Sequence, residues 1–83
     1  METRIGVVGI VVEAREQNAA RVNEILSAQG EIIVGRLGIP YRARDLSVIA
    51  LIVDGTLDEI GALTGKLGNV PGVQVRAALS SRR

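Results

Sequence analysis

The stretch Leu46-Ser-Val-Ile-Ala-Leu-Ile-Val-Asp54 constrains this chain more than any other. It is dense in β-branched residues and stops at Gly55, which predicts a strand rather than a helix. Alternate side chains of a strand point to opposite faces. Leu46, Val48, Ala50 and Ile52 therefore share one face, and Ser47, Ile49, Leu51 and Val53 the other. Both faces are apolar, so this strand must be covered on both sides.

Arg4 to Glu13 repeats the pattern. Ile5, Val7 and Val11 fall on one face and Val8, Ile10 and Val12 on the other, the mark of a second central strand. Gly6 and Gly9 are unfavourable inside a strand and point to a bulge, to room for a packed helix, or to close approach by another backbone or a ligand. The polar segment Glu13–Asn18 comes next, with Asn18 as the expected N-cap of a helix over Ala19–Ala28. Ala19, Val22, Ile25, Leu26 and Gln29 fall at helical spacing, the wet side carries Arg21, Asn23 and Glu24, and Gly30 takes the C′ position.

Glu31–Ile39 reads as a strand with Ile32, Val34, Arg36 and Gly38 on one face and Ile33, Gly35, Leu37 and Ile39 on the other. Pro40 directly after it suits an edge, and Pro40–Asp45 connects back to the central strand. Thr56 with Glu59 three residues later is a capping box. It opens a second helix whose stripe is Ile60, Leu63 and Leu67. Gly61 and Gly65 share a face of that helix and suggest close approach to the sheet or a neighbouring helix. Gly72–Leu79 alternates like a second edge strand.

The order βαββαβ is the split-βαβ, ferredoxin-like plan of the α+β class: a four-stranded antiparallel sheet in order 4-1-3-2. Right-handed crossovers put both helices on one face. The other face then keeps one apolar row from each central strand, a patch larger than a monomer normally exposes. The expectation is a homodimer or tetramer formed through that sheet face.

Composition narrows the chemistry. The 83 residues suit a single domain, 1–83, with a marginal core. There is no cysteine and no histidine, which excludes disulfides and imidazole or thiolate metal sites, and no cofactor is expected. A net charge of +1 and a sheet without aromatics argue against nucleic acid as a direct partner. No apolar run reaches the ~20 residues of a membrane span, and Met1-Glu-Thr-Arg4 lacks a signal-peptide pattern; a cytoplasmic protein without membrane contact is expected. Phosphate-binding glycine loops and acid–base pairs are missing, so the chain does not read as an enzyme.

The most distinctive stretch is Gly35-Arg-Leu-Gly-Ile-Pro-Tyr-Arg42. Two glycines leave backbone open, and Arg36, Arg42 and Arg44 could hold an anion or carboxylate through forked guanidinium bonds. The alternative is a solvated hairpin tip whose arginines pair with Glu13, Glu31 or Asp45.

These residues, with Arg4-Ile-Gly-Val-Val-Gly-Ile-Val-Val-Glu13 and Asp58-Glu-Ile-Gly-Ala-Leu-Thr-Gly-Lys-Leu-Gly-Asn69, carry a resemblance. From about Arg4 to Leu79 the chain resembles the small ACT-like family of regulators associated with the iron-only hydrogenase system. It is also similar to the C-terminal domain of the nickel-responsive regulator, from which it departs in having no histidine or cysteine to bind nickel. The resemblance implies an ACT-like fold and oligomers, and the expected function is a stand-alone regulatory module that binds a small anionic or amino-acid-like ligand near a subunit boundary. Gly35, Arg36, Gly38, Tyr41, Arg42 and Arg44 are the candidate contacts, joined by Glu13 and Asn18 because the first strand–helix loop often lies at the ligand site of ACT-like proteins. The alternative function is a protein-binding adaptor with no small ligand.

Overall fold

The computed structural model describes residues 2–80. In chain order it contains β1 (Arg4–Glu13), α1 (Arg15–Ala28), a 3-10 turn (Gly30–Ile32), β2 (Ile33–Tyr41), a second 3-10 turn (Arg42–Arg44), β3 (Leu46–Gly55), α2 (Leu57–Gly68) and β4 (Val73–Leu79). The sheet runs β2-β3-β1-β4 with every neighbouring pair antiparallel. This is the expected βαββαβ architecture, with the two doubly apolar strands in the middle.

Only one face of those strands is covered. Val8, Ile10 and Val12 of β1 and Ile49, Leu51 and Val53 of β3 are buried against Val22, Ile25 and Leu26 of α1 and Ile60, Leu63 and Leu67 of α2. Burying an aliphatic side chain of this size contributes about 1.5–3 kcal/mol, so this layer holds the fold together. α2 starts as its sequence dictates: the Glu59 N–H donates to Thr56 Oγ1 at 3.1 Å and the Thr56 N–H donates to Glu59 Oε1 at 2.8 Å.

The structure corrects four local expectations. Asn18 is not an N-cap. α1 begins a turn earlier, at Arg15, behind Ala14 in the left-handed conformation (φ 49°). The Ala14 carbonyl accepts from the N–H groups of Gln17 and Asn18, at 2.9 and 3.2 Å. The Asn18 side chain turns back instead and donates to the Glu13 carbonyl at 2.8 Å. The first turn, Arg15-Glu-Gln17, holds no apolar residue that would announce a helical period.

The second correction is a register shift. Ile33 pairs with Val53 and Gly35 with Ile52, so Val34 is an extra residue bulged out of β2. A bulge reverses the parity of every later position in its strand. Ile33 thus shares the helix-side face with Arg36, Gly38 and Pro40, while Gly35, Leu37, Ile39 and Tyr41 share the opposite one. The strand also starts at Ile33 rather than Glu31, because Gly30–Ile32 forms a 3-10 turn.

Third, β1 has no bulge at either glycine; of the alternatives, close approach by another backbone is the one found, at Gly6. Gly6 makes room for Leu79 of the adjacent strand: a Cβ there would collide with the Leu79 side chain and lie 2.9 Å from the Ala78 carbonyl oxygen. Fourth, Gly61 and Gly65 are exposed, with nothing within 4 Å of an added Cβ, so they do not bring α2 closer to its neighbours.

Candidate functional site

Two surface features stand out. The first is the uncovered sheet face. Ladder partners point the same way, which places Ile5, Val7, Gly9 and Val11 of β1 beside Ile52, Ala50 and Val48 of β3, with Leu37, Ile39 and Tyr41 of β2 next to them. Val7, Val48 and Ile52 are 48%, 40% and 42% exposed although they belong to the two central strands. Leu37, Ile39 and Tyr41 are at least half exposed as well. On the β4 side the patch ends in polar groups, Gln74 opposite Val11 and Arg76 opposite Gly9.

The second feature is a groove of about 200 Å³ on the helix side, between α1 and β2. Its floor is Val12, Ser47 and Ile49; α1 supplies Ala19, Val22 and Asn23; β2 supplies Arg36, Gly38 and Pro40. The groove exists because Gly38 puts no side chain on the inward face of β2. An added Cβ at Gly38 would meet only Ile49 Cγ1, at 3.9 Å. Arg36 crosses from strand to helix and donates from Nη2 to Asn23 Oδ1 at 3.0 Å.

The eight residues singled out from sequence divide among four places. Arg36 and Gly38 line the groove. Gly35 and Tyr41 lie on the open sheet face. Arg42 and Arg44 are exposed in the turn between β2 and β3, and among the described residues neither pairs with a carboxylate. Glu13 and Asn18 meet at the β1–α1 junction. There the Glu13 N–H donates to the Gly72 carbonyl at 2.7 Å, and Gln74 Nε2 donates to Glu13 Oε2 at 3.4 Å.

Asn23, Pro40 and Ser47 are groove residues that sequence reasoning did not select. Helical periodicity put Asn23 on the wet side of α1, and its partnership with Arg36 depends on the Val34 bulge. No local pattern in the sequence marks that bulge.

A four-stranded antiparallel sheet with both helices on one face and the other face bare is the ferredoxin-like plan, and the form it takes here is ACT-like. Solved structures agree on the fold: the ACT domain from GTP pyrophosphokinase of Chlorobium tepidum superposes with a TM-score of 0.70 at 18% identity, over 98% of this chain and 90% of that one. CPII, a nitrogen regulatory PII-like protein from Thiomonas intermedia K12, gives 0.56 at 14% identity over 96% of each chain, in a structure bound to ADP, AMP and bicarbonate. The chain belongs to the TM1266-like family, described as "Iron-only hydrogenase system regulator, putative", which matches residues 4–77. The structure of TM1266 from Thermotoga maritima has a TM-score of 0.90 and 41% identity, covering 94% of this chain and 98% of that one. No curated protein matches. Among the described residues no helix is long and apolar enough to cross a membrane.

Proposed function

We propose that this regulator-family protein works as a self-assembling ACT-like module that senses a small anionic ligand. The observation that carries the reading is the bare sheet face. Val7, Val48 and Ile52 project from the middle of the sheet into solvent, flanked by Leu37 and Ile39. These side chains are already about half covered, so completing the burial of each contributes about half of the 1.5–3 kcal/mol that a fully exposed one would give. In a two-fold interface every one of them is buried twice against a single association cost of about 4–15 kcal/mol. Gly9 and Ala50, opposite each other in the ladder, leave a shallow centre over which a second sheet can settle. The polar margin of Gln74 and Arg76 suits an interface rim.

The ligand half of the reading rests on cations without carboxylate partners. Arg36, Arg42 and Arg44 make no ion pair among the described residues, and Gly35, Gly38 and Tyr41 lie along the same strand. Glu13 and Asn18 belong to the strand–helix junction of this domain class. CPII, of similar fold, binds ADP, AMP and bicarbonate. Binding would act by favouring one subunit arrangement over another, by its differential affinity for the two.

Sedimentation velocity at micromolar concentration tests the assembly. A dimer or tetramer is expected, and a monomer would refute it. A thermal-shift screen of small anions and amino acids tests the sensing. Stabilisation that disappears in Arg36→Ala supports it; no shift with any compound, and an Arg36→Ala protein indistinguishable from the original, refutes it.

A further inference from the structure

We propose that the bare sheet face pairs with a second copy of itself about a two-fold axis running along β3 through Ala50, so that Leu37 of each subunit sits over Gly9 of the other. The inference rests on the reading of this face as a self-assembly surface and fixes which strands meet.

Ladder partners place Leu37, Ala50 and Gly9 in one row across β2, β3 and β1. The row falls from large to small. Leu37 is 61% exposed, the highest value among the large apolar ladder residues of this face. Gly9 is also exposed, and an added Cβ there would meet only the Arg76 carbonyl oxygen, at 4.0 Å, so the space above it is open. The neighbouring Arg76 side chain donates from Nη1 to the Val75 carbonyl at 2.8 Å, which ties it to its own strand.

Neighbouring strands lie about 4.8 Å apart, so the knob and the notch stand one strand spacing to either side of Ala50. In a two-fold interface, if one residue meets a second, the second also meets the first. A half-turn about a line along β3 satisfies this. It carries β2 over β1 of the partner subunit and puts Leu37 over Gly9 in both halves of the contact at once. A two-fold axis across the strands fails: it stacks Leu37 on Leu37 and leaves Gly9 above Gly9, a clash beside a void. The self-complementary row names a second copy as the occupant.

The next row repeats the match. Gly35, Ile52 and Val7 are ladder partners, and the same half-turn sets Val7 of one subunit toward Gly35 of the other. There the face has a hollow of about 340 Å³, lined by Gly35, Arg36, Leu37, Ala50 and Ile52. Packed sheets lie within about 30° of alignment, a rotation that displaces rows near the axis least. The overlap joins β2, β3 and β1 of both copies and leaves β4, with its polar Gln74 and Arg76, outside.

The test uses two variants of the full-length protein. Gly9→Leu fills the notch and Leu37→Ala removes the knob, both on the side away from the helices. Alone, each should self-associate at least about tenfold more weakly than the original in sedimentation velocity, with the circular dichroism spectrum of the original. Mixed in equal amounts, they should prefer each other, because the mixed pair keeps one original Leu37–Gly9 contact and exchanges knob for notch in the other. Native mass spectrometry should find mixed dimers outnumbering the two homodimers by at least about fivefold, where random pairing gives equal numbers. Both substitutions in one chain should recover most of the lost self-association. Single variants that associate like the original would overturn the arrangement. So would random pairing with a double variant as weak as either single one; a dimeric original protein would then leave the self-assembly reading standing. A monomeric original protein would overturn both readings and give the face to a different protein.

Discussion

Val7 and Ile52 face each other across the β1–β3 ladder at the centre of the sheet, and both are more than 40% exposed. Neighbours one position along each strand, Val8 and Leu51, are wholly buried. The two sides of one strand pair thus differ only in what covers them. Replacing Ile52 by lysine puts a charge into the bare face without touching the covered one. Ile52→Lys should sediment as a monomer, or with at least about a tenfold weaker self-association, since burying an unpaired ammonium is strongly unfavourable. Its far-ultraviolet circular dichroism should match the original.

The covered face should respond in the opposite way. Leu63 is fully buried in the contact of α2 with the sheet. Leu63→Ala should lower unfolding free energy by about 2–5 kcal/mol, a large share of what a domain of this size possesses. Urea denaturation is the measurement, with an unchanged slope indicating that only stability has moved.

The α2 cap offers a smaller change of known sign. Thr56 and Glu59 satisfy each other's backbone N–H groups. Thr56→Ala should destabilise by about 1 kcal/mol, seen as a lower thermal midpoint. Thr56→Ser keeps the accepting oxygen and should recover most of the difference.

The two glycines of β1 make a matched pair of probes. Gly6→Ala drives a methyl into Leu79 and the Ala78 carbonyl and should cost about 1–3 kcal/mol. A methyl at Gly9 meets only the Arg76 carbonyl oxygen, at 4.0 Å, so Gly9→Ala should leave subunit stability within about 0.5 kcal/mol. Chemical denaturation of the two variants side by side separates a glycine required inside the sheet from one whose space opens outward.

The range of the forces involved decides which elements the residues announce and which they conceal. β1, β3 and α2 are legible because period and capping act over a few neighbouring positions, and all their signals agree. The start of α1 is hidden because Arg15, Glu16 and Gln17 carry no apolar period, and the turn depends on Ala14 adopting φ 49°, which its sequence does not require. The inward face of β2 is hidden because the bulge at Val34 arises from pairing with β3, a contact far along the chain. The candidate site inherits that gap. Gly35 through Arg42 is conspicuous as a segment, yet which of its side chains meet Asn23 depends on the bulge.

Val34 stands outside the ladder, between two residues whose partners, Val53 and Ile52, are adjacent in β3. Removing it would join Ile33 directly to Gly35 as an ordinary strand, with every later rung unchanged. The Val34-deleted chain should therefore sediment like the original and keep Arg36 beside Asn23. Drawing Val34 into the ladder without shortening the chain does the reverse: Leu37 and Ile39 would turn under the helices and the Arg36 guanidinium would emerge outside. One spare link thus sets the polarity of a whole edge. Losing that link leaves the edge as it is, whereas straightening it exchanges Leu37 and Ile39 on the open face for the charge of Arg36.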